Sequence, residues 1–304
     1  MKKMECSHHG MADNTKREYP NETIRLLHER ASVRSFEDKK IPPDVLRLIL
    51  EAGIHAPTGG NLQPFSIIKI EELSPKRKMA EMCEQDFIGE APVNLLFCLD
   101  WRRLERWAAL EIAPFTGNRS FRNFWISFQD TIIAAQNICA AADALGLGSV
   151  YIGTVLECFR ELRDMFQLPK SVFPVVLLCL GYPKHYPLPR RKLNIDVIVH
   201  SEKYQELEDQ ELLDAYNKKN PWSWEIKSER LERIERACRT VHGDDFAARC
   251  LGKIKQDGHI TPAQVYFGLH YCADEMPDGN DEYLKLMEEF GFYWFKKYWP
   301  GDKG

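Results

Sequence analysis

The chain has 304 residues, of which 44% are hydrophobic, 28% charged and 11% aromatic, with a formal net charge of −4. This is globular composition, and it argues against a disordered, fibrous or nucleic-acid-binding protein. No apolar run approaches the length of a membrane-spanning helix, and Met1 to Asn14 lack the apolar stretch of a secretory signal, so residues 1–19 read as a disordered leader. The nine cysteines are widely spaced, with no Cys-x-x-Cys pair. They read as core residues of a reducing, cytoplasmic compartment, and no metal centre is expected. The nearest approach to a ligand cluster, Cys6, His8 and His9, lies in the leader.

Asn21 or Thr23 can cap a first helix that runs to about Arg30. Ala31–Phe36 reads as a loop or short extended piece. Pro42 and Pro43 open a second helix with Leu46, Ile49, Leu50 and Gly53 at helical spacing, ending before Pro57. Phe65–Ile70 reads as a strand, a short helix follows Pro75, and Val93–Leu99 is a fully apolar strand. Trp101–Trp125, rich in arginine and aromatic residues and broken by Pro114 and Gly117, reads as an exposed helix followed by a mobile loop. Ile126–Leu145 is Ala-rich and almost free of charge, which predicts a buried central helix. Gly146–Gly153 is a glycine-punctuated turn into a short extended segment, Glu157–Phe166 a helix, and Pro174–Leu180 a buried strand closed by Gly181-Tyr182-Pro183. Lys192–Val199 reads as a further short strand. Beyond Tyr204 only helical patterns remain, over Ser228–Val241, Asp244–Lys255, a Thr261-Pro262 start, and Asp281–Trp299 with Phe290, Trp294 and Tyr298 in step. The chain is thus expected to hold a main domain over 20–204 and a helical appendage over 205–304.

Three segments carry chemistry. Arg30, Ser32 and Arg34 alternate, so an extended chain points all three to one side, where two guanidiniums and a hydroxyl can grip a phosphate. The bland alternative is an ordinary solvated surface. Ala56–Phe65 joins a Gly-Gly turn to Asn61 and Gln63, whose carboxamides both donate and accept and so suit the edge of a heteroaromatic ring; a turn satisfying its own backbone is the alternative. Leu145–Gly153 is glycine-rich, but it follows a helix and lacks the spacing of a dinucleotide fingerprint, and no Walker A sequence occurs.

The stretches ERASVRSF, IPPDVLRLILEAGIHAPTGGNLQPF, AADALGLGSVYIG and FPVVLLCLGYPKHYPLPRRKLNIDVIVH together resemble the nitroreductase-like FMN-dependent oxidoreductases, in the family's order and over about residues 20–204. The resemblance implies an α+β fold with a central, mostly antiparallel sheet, and an intertwined homodimer with FMN at its interface. It implies phosphate contacts from Arg30, Ser32 and Arg34, with Arg190 and Lys192 as a second basic pair and Arg191 as the register alternative. Pro57, Thr58, Asn61 and Gln63 would lie beside the isoalloxazine ring, and Ile152, Gly153 and Thr154 near its N5 edge. NADH or NADPH would be the electron donor, in a ping-pong reduction of small aromatic or conjugated acceptors, with no catalytic side chain assigned. A specialised flavoenzyme such as a reductive dehalogenase or dehydrogenase, or a non-catalytic flavin-binding regulator, remains open beside it. The helical appendage has no counterpart in the simple members.

Overall fold

The structure, a computed structural model, describes residues 18–297. Residues 1–17 of the expected leader, with Cys6, His8 and His9, and the aromatic Tyr298 and Trp299 lie outside the described residues. The described chain forms two compact units, residues 18–188 with 281–297, and residues 189–280.

In the first unit Asn21 caps α1 (Glu22–Glu29), its side chain accepting from the Ile24 amide at 3.0 Å, and proline opens α2 (Pro43–Ile54). There follow β1 (Phe65–Ile70), α3 (Leu73–Met82), α4 (Phe87–Glu90), β2 (Val93–Asp100), α5 (Arg102–Leu110), α6 (Phe121–Ala144), β3 (Gly148–Ile152), α7 (Phe159–Phe166) and β4 (Val172–Gly181). The strands form one sheet in the order β1-β2-β4-β3, with every neighbouring pair antiparallel. β2 is buried at every position and β4 at nearly every one, because both faces of the sheet are covered; hence their continuous apolar sequences. Alternate β2 residues serve opposite cores. Leu96 and Cys98 pack on the face shared with Met79 and Leu162, whereas Leu95 and Phe97 pack with Ile49 and Ile138.

Helix α6 begins five residues before the predicted start, because Ser120 caps it by accepting from the Asn123 amide at 3.2 Å. It is buried on one face only. Ser127, Asp130, Thr131, Ala134, Ile138 and Ala142 face the core, while Phe121, Trp125, Phe128 and Ile133 are 39–54% exposed.

The segment after α1 lies against the outer edge of β3 and the end of β4. The Val33 amide donates to Ser149 O at 3.0 Å, the Glu37 amide to Tyr182 O at 2.8 Å, and the Lys184 amide to Ser35 O at 3.0 Å. Gly148 permits this approach, since a Cβ there would sit 2.4 Å from Val33 Cγ2. Gly148→Ala should therefore destabilise the protein by about 1–3 kcal/mol through overpacking. A thermal melt unchanged from wild type would show that Val33 yields without cost.

The second unit holds α8 (Ile195–Ile198), α9 (Asp209–Lys219), α10 (Ser228–His242), α11 (Asp244–Asp257) and α12 (Pro262–Val265) around Ile234, Ile254, Ile260 and Val265. Thr261 and Gln264 form a reciprocal cap at α12. The strand expected over Lys192–Val199 is instead one helical turn with exposed Ile195 and Ile198, since no strand edge pairs with it. No expectation covered α9, which buries none of its side chains and so shows no clear apolar stripe.

α13 (Asn280–Glu289) and the residues after it return to the first unit. Leu286, Met287, Phe290 and Phe292 share the core of Val172 and Phe173, and the Ser171 amide donates to Phe290 O at 2.7 Å. Arg160 bridges Glu282 at 2.5 Å and Glu289 at 2.7 Å. The units thus divide the chain differently from a boundary at residue 204: the last aromatic segment completes the sheet's core.

Candidate cofactor site

Val33, 2% exposed, points into the core, and Ser32 and Arg34 on either side of it are exposed, as alternation in an extended chain requires; Phe36 is buried as well, so the alternation ends after Arg34. Arg30 is the C-cap of α1 with φ −57 and ψ 139, so the extended run begins with it. Its side chain is 23% exposed; Nε donates to Asp143 Oδ2 at 3.3 Å and Nη2 to Ser149 Oγ at 3.2 Å. Two guanidiniums and a hydroxyl on one short extended strip are a donor set matched to a phosphate.

The strip bridges β3 in parallel at Ser32 and Ser149. At the far end of β3, Ile152 is buried and Gly153 is exposed, and a Cβ on Gly153 would meet nothing within 4 Å. That opening leaves room for a flat group against the backbone. The next residue, Thr154, accepts through Oγ1 from Gln85 Nε2 at 2.9 Å.

The loop after α2 is strained. Gly60, Asn61 and Gln63 have φ of 60°, 56° and 49°, and for the two non-glycine residues this left-handed backbone costs about 1–3 kcal/mol each. Asp130 holds the loop, both carboxylate oxygens accepting from the Gly59 amide at 3.2 and 3.1 Å. Thr58 Oγ1 accepts from the Gln63 amide at 3.2 Å, Gln63 Nε2 donates to Ile54 O at 3.0 Å, and Arg103 donates to Gln63 O at 2.7 Å. Pro57 and Asn61 are exposed, Thr58 and Gln63 half-buried. Arg103 also joins Arg102, Arg106 and Trp107 along a cleft of about 590 Å³ beside this loop.

Helix α6 sets the spacing of these parts. Asp130 holds the loop and Asp143 the arginine strip, and thirteen residues of helix separate them by about 20 Å. One chain therefore brings Arg30, Ser32, Arg34 and Gly153 to one sheet edge and keeps Asn61 and Gln63 away from it. Arg190 and Lys192 are exposed in the second unit, and the half-buried Arg191 donates to Lys218 O at 3.3 Å. Sequence reasoning missed Asp130, Asp143, Ser149 and Gln85. The signal for the first two was present: they are the only charged residues in the apolar run Ile126–Leu145.

Burial raises the Asp130 carboxyl above its ordinary 3.8, against the opposing pull of the Gly59 amide. Burial likewise raises Asp143, against Arg30. A raised carboxyl binds protons in the folded chain that the unfolded chain has released. Its contribution to stability is full below pH 3.8 and is lost as pH rises through the folded value. Asp130→Asn should accordingly flatten that part of the stability profile just above pH 3.8. A melt series in which the variant keeps the wild-type slope there would show that Asp130 is not the titrating group.

A family model described as the Nitroreductase family matches residues 27–182, a span that includes Arg30 through Thr154 and stops short of Arg190. The chain is 34% identical over 188 residues to the FMN reductase (NAD(P)H) of Bacillus subtilis, covering 60% of this chain and 75% of that protein. It is 31% identical over 196 residues to the oxygen-insensitive NADPH nitroreductase of Salmonella typhimurium, covering 64% and 79%. A solved oxidoreductase structure from Bacteroides fragilis matches with a TM-score of 0.73 at 25% identity, covering 88% of this chain and 99% of that one. That share exceeds residues 20–204, so part of the expected appendage has a counterpart there.

Proposed function

This chain belongs to the nitroreductase family, and from that premise we propose that it is an FMN-dependent oxidoreductase, using NADH or NADPH to reduce small aromatic or conjugated acceptors of nitro or quinone type. The observation that carries the reading is the strip of Arg30, Ser32 and Arg34 laid along β3, whose other end opens at Gly153. The strip suits a single terminal phosphate, and no dinucleotide motif accompanies it, which favours FMN over FAD.

In this reading Arg30, Ser32 and Arg34 hold the phosphate, with Arg190 and Lys192, or Arg191 in the other register, as a second cationic pair. The backbone of Ile152, Gly153 and Thr154 runs along the ring edge, and the amide of Gly153 or Thr154 donates a hydrogen bond there that stabilises negative charge. Pro57, Thr58, Asn61 and Gln63 border the ring, with the carboxamides as its polar contacts. Bound FMN supplies the two-electron redox chemistry. The protein binds and orients, and reductant and acceptor occupy one space in turn, a ping-pong order that asks no acid or base of the chain.

The homodimer belongs to this reading. One chain's ring-bordering loop lies about 20 Å along α6 from its phosphate strip, and in a dimer each copy would supply one part to each site. The exposed Phe121, Trp125, Phe128 and Ile133 on α6 provide an apolar face for such an association. Sedimentation should give a dimer; a monomer that keeps FMN and turns over would contradict it. The eight cysteines among the described residues are free, which suits a cytoplasmic setting, and no described helix is long and apolar enough to cross a membrane.

The decisive experiment is a spectrum of the purified protein followed by anaerobic titration. A yellow protein bleached by NADH or NADPH and reoxidised by a quinone is expected. Colourless protein that takes up no added FMN would end the reading.

A further inference from the structure

Asp143 stands where folding gives an aspartate little reason to be. It is in the last turn of α6, at the negative end of the helix dipole, and aspartate is a poor helix former. Its side chain is only 13% exposed, and burial disfavours the charged form further. The carboxylate caps no backbone amide; among the described residues its one side-chain partner is Arg30. A residue that breaks several local rules together, with no gain to its own helix, marks a site.

Arg30 shows what the gain is. Its fork is gripped by Asp143 at Nε and by Ser149 at Nη2, which leaves the Nη1 end for a further acceptor. Ser149 is itself fully buried, with Cys139 Sγ at 2.9 Å from its Oγ, so the second grip is as fixed as the first. An arginine side chain loses much rotamer freedom when it binds an anion, and one already held loses less.

We infer that Asp143, assisted by Ser149, is a positioning residue that holds Arg30 in readiness for the flavin phosphate, an inference that rests on the FMN reading above. The carboxylate has two opposed effects. It orders the cation, which strengthens phosphate binding, and it places negative charge near a dianion, which weakens it. The sign of a substitution therefore decides between them.

The test uses the full-length chain stripped of flavin and compares FMN with riboflavin, which lacks the phosphate, by fluorescence titration. Asp143→Asn should weaken FMN severalfold, less than outright loss of the Arg30 contact would, and leave riboflavin affinity unchanged. In an Arg30→Ala background the same substitution should change little, since the two act as one unit. Ser149→Ala should show a smaller loss of the same selectivity, and it carries the test should Asp143→Asn fail to fold. Tighter FMN binding in Asp143→Asn would mean that the carboxylate only screens the site. Equal weakening of FMN and riboflavin would mean a purely structural role. Either result overturns the inference while the FMN reading stands. A wild-type protein with no preference for FMN over riboflavin would instead overturn that reading itself.

Discussion

Phe292→Ala should lower the stability of the sheet unit by about 3–5 kcal/mol, the range for truncating a buried phenylalanine. In a unit of this size that corresponds to a fall in melting temperature of roughly 10 °C. Phe292 is fully buried, and its ring centroid lies 5.9 Å from that of Phe124 and 6.3 Å from that of Phe173. Phe290 adds an edge-to-face contact with Phe173 at 5.1 Å. The loss thus falls at the meeting of α6, β4 and the C-terminal segment. A chain ending at Asn280 removes both rings and the carboxylate partners of Arg160, and it should be insoluble or flavin-free. Trp294→Ala, which loses packing on Phe121 and Phe124 but frees an indole N–H that has no partner, should cost less than Phe292→Ala. Wild-type melting by Phe292→Ala would make the C-terminal segment peripheral after all.

Replacing Arg30 and Arg34 together by Ala should reduce FMN affinity well beyond tenfold, because each charge-assisted contact is worth about 1.5–3 kcal/mol. The two substitutions are not equivalent in their effect on the fold. Arg34 is exposed, and its removal should cost less stability than removal of Arg30. Removing Arg30 leaves the carboxylate of Asp143 buried without its partner, so a stability loss of about 1–3 kcal/mol should accompany the lost affinity. Titration and thermal melting of both single variants and the double separate the two effects. Undiminished affinity in the double variant would place the phosphate elsewhere.

The strands were legible from their apolar runs after Pro64 and Pro92: Phe65–Ile70 agrees residue for residue, and Val93–Asp100, buried at every position, to within one. The arginine strip was legible too, since period-2 alternation fixes the side once the chain is extended, and Val33 is buried between the exposed Ser32 and Arg34. Lys192–Val199 misled because a short apolar stretch does not record whether an edge is there to pair with. α6 misled in another way. Its apolar, charge-poor sequence predicts a buried helix, yet Phe128 and Ile133 are exposed. The pattern near Phe290 showed an apolar face but could not name the core it joins. That core lies more than a hundred residues back, at Phe173. Asp130 and Asp143 were visible as lone charges in an apolar run, but their partners, at Gly59 and Arg30, come from tertiary structure.

The return of residues 281–297 to the sheet has a consequence for how the protein is made. Until residues 281–297 have been added and have emerged, Phe173 lacks Phe290 and Phe292, and the Ser171 amide lacks the Phe290 carbonyl. The sheet unit therefore cannot finish until residues 281–297 are available, and its apolar face waits for that segment. Closing a contact across so long an intervening stretch is also slow. Nascent chains stalled before Phe290 should be bound by chaperones or cut by proteases at the β4 face, whereas chains released past Phe292 should not.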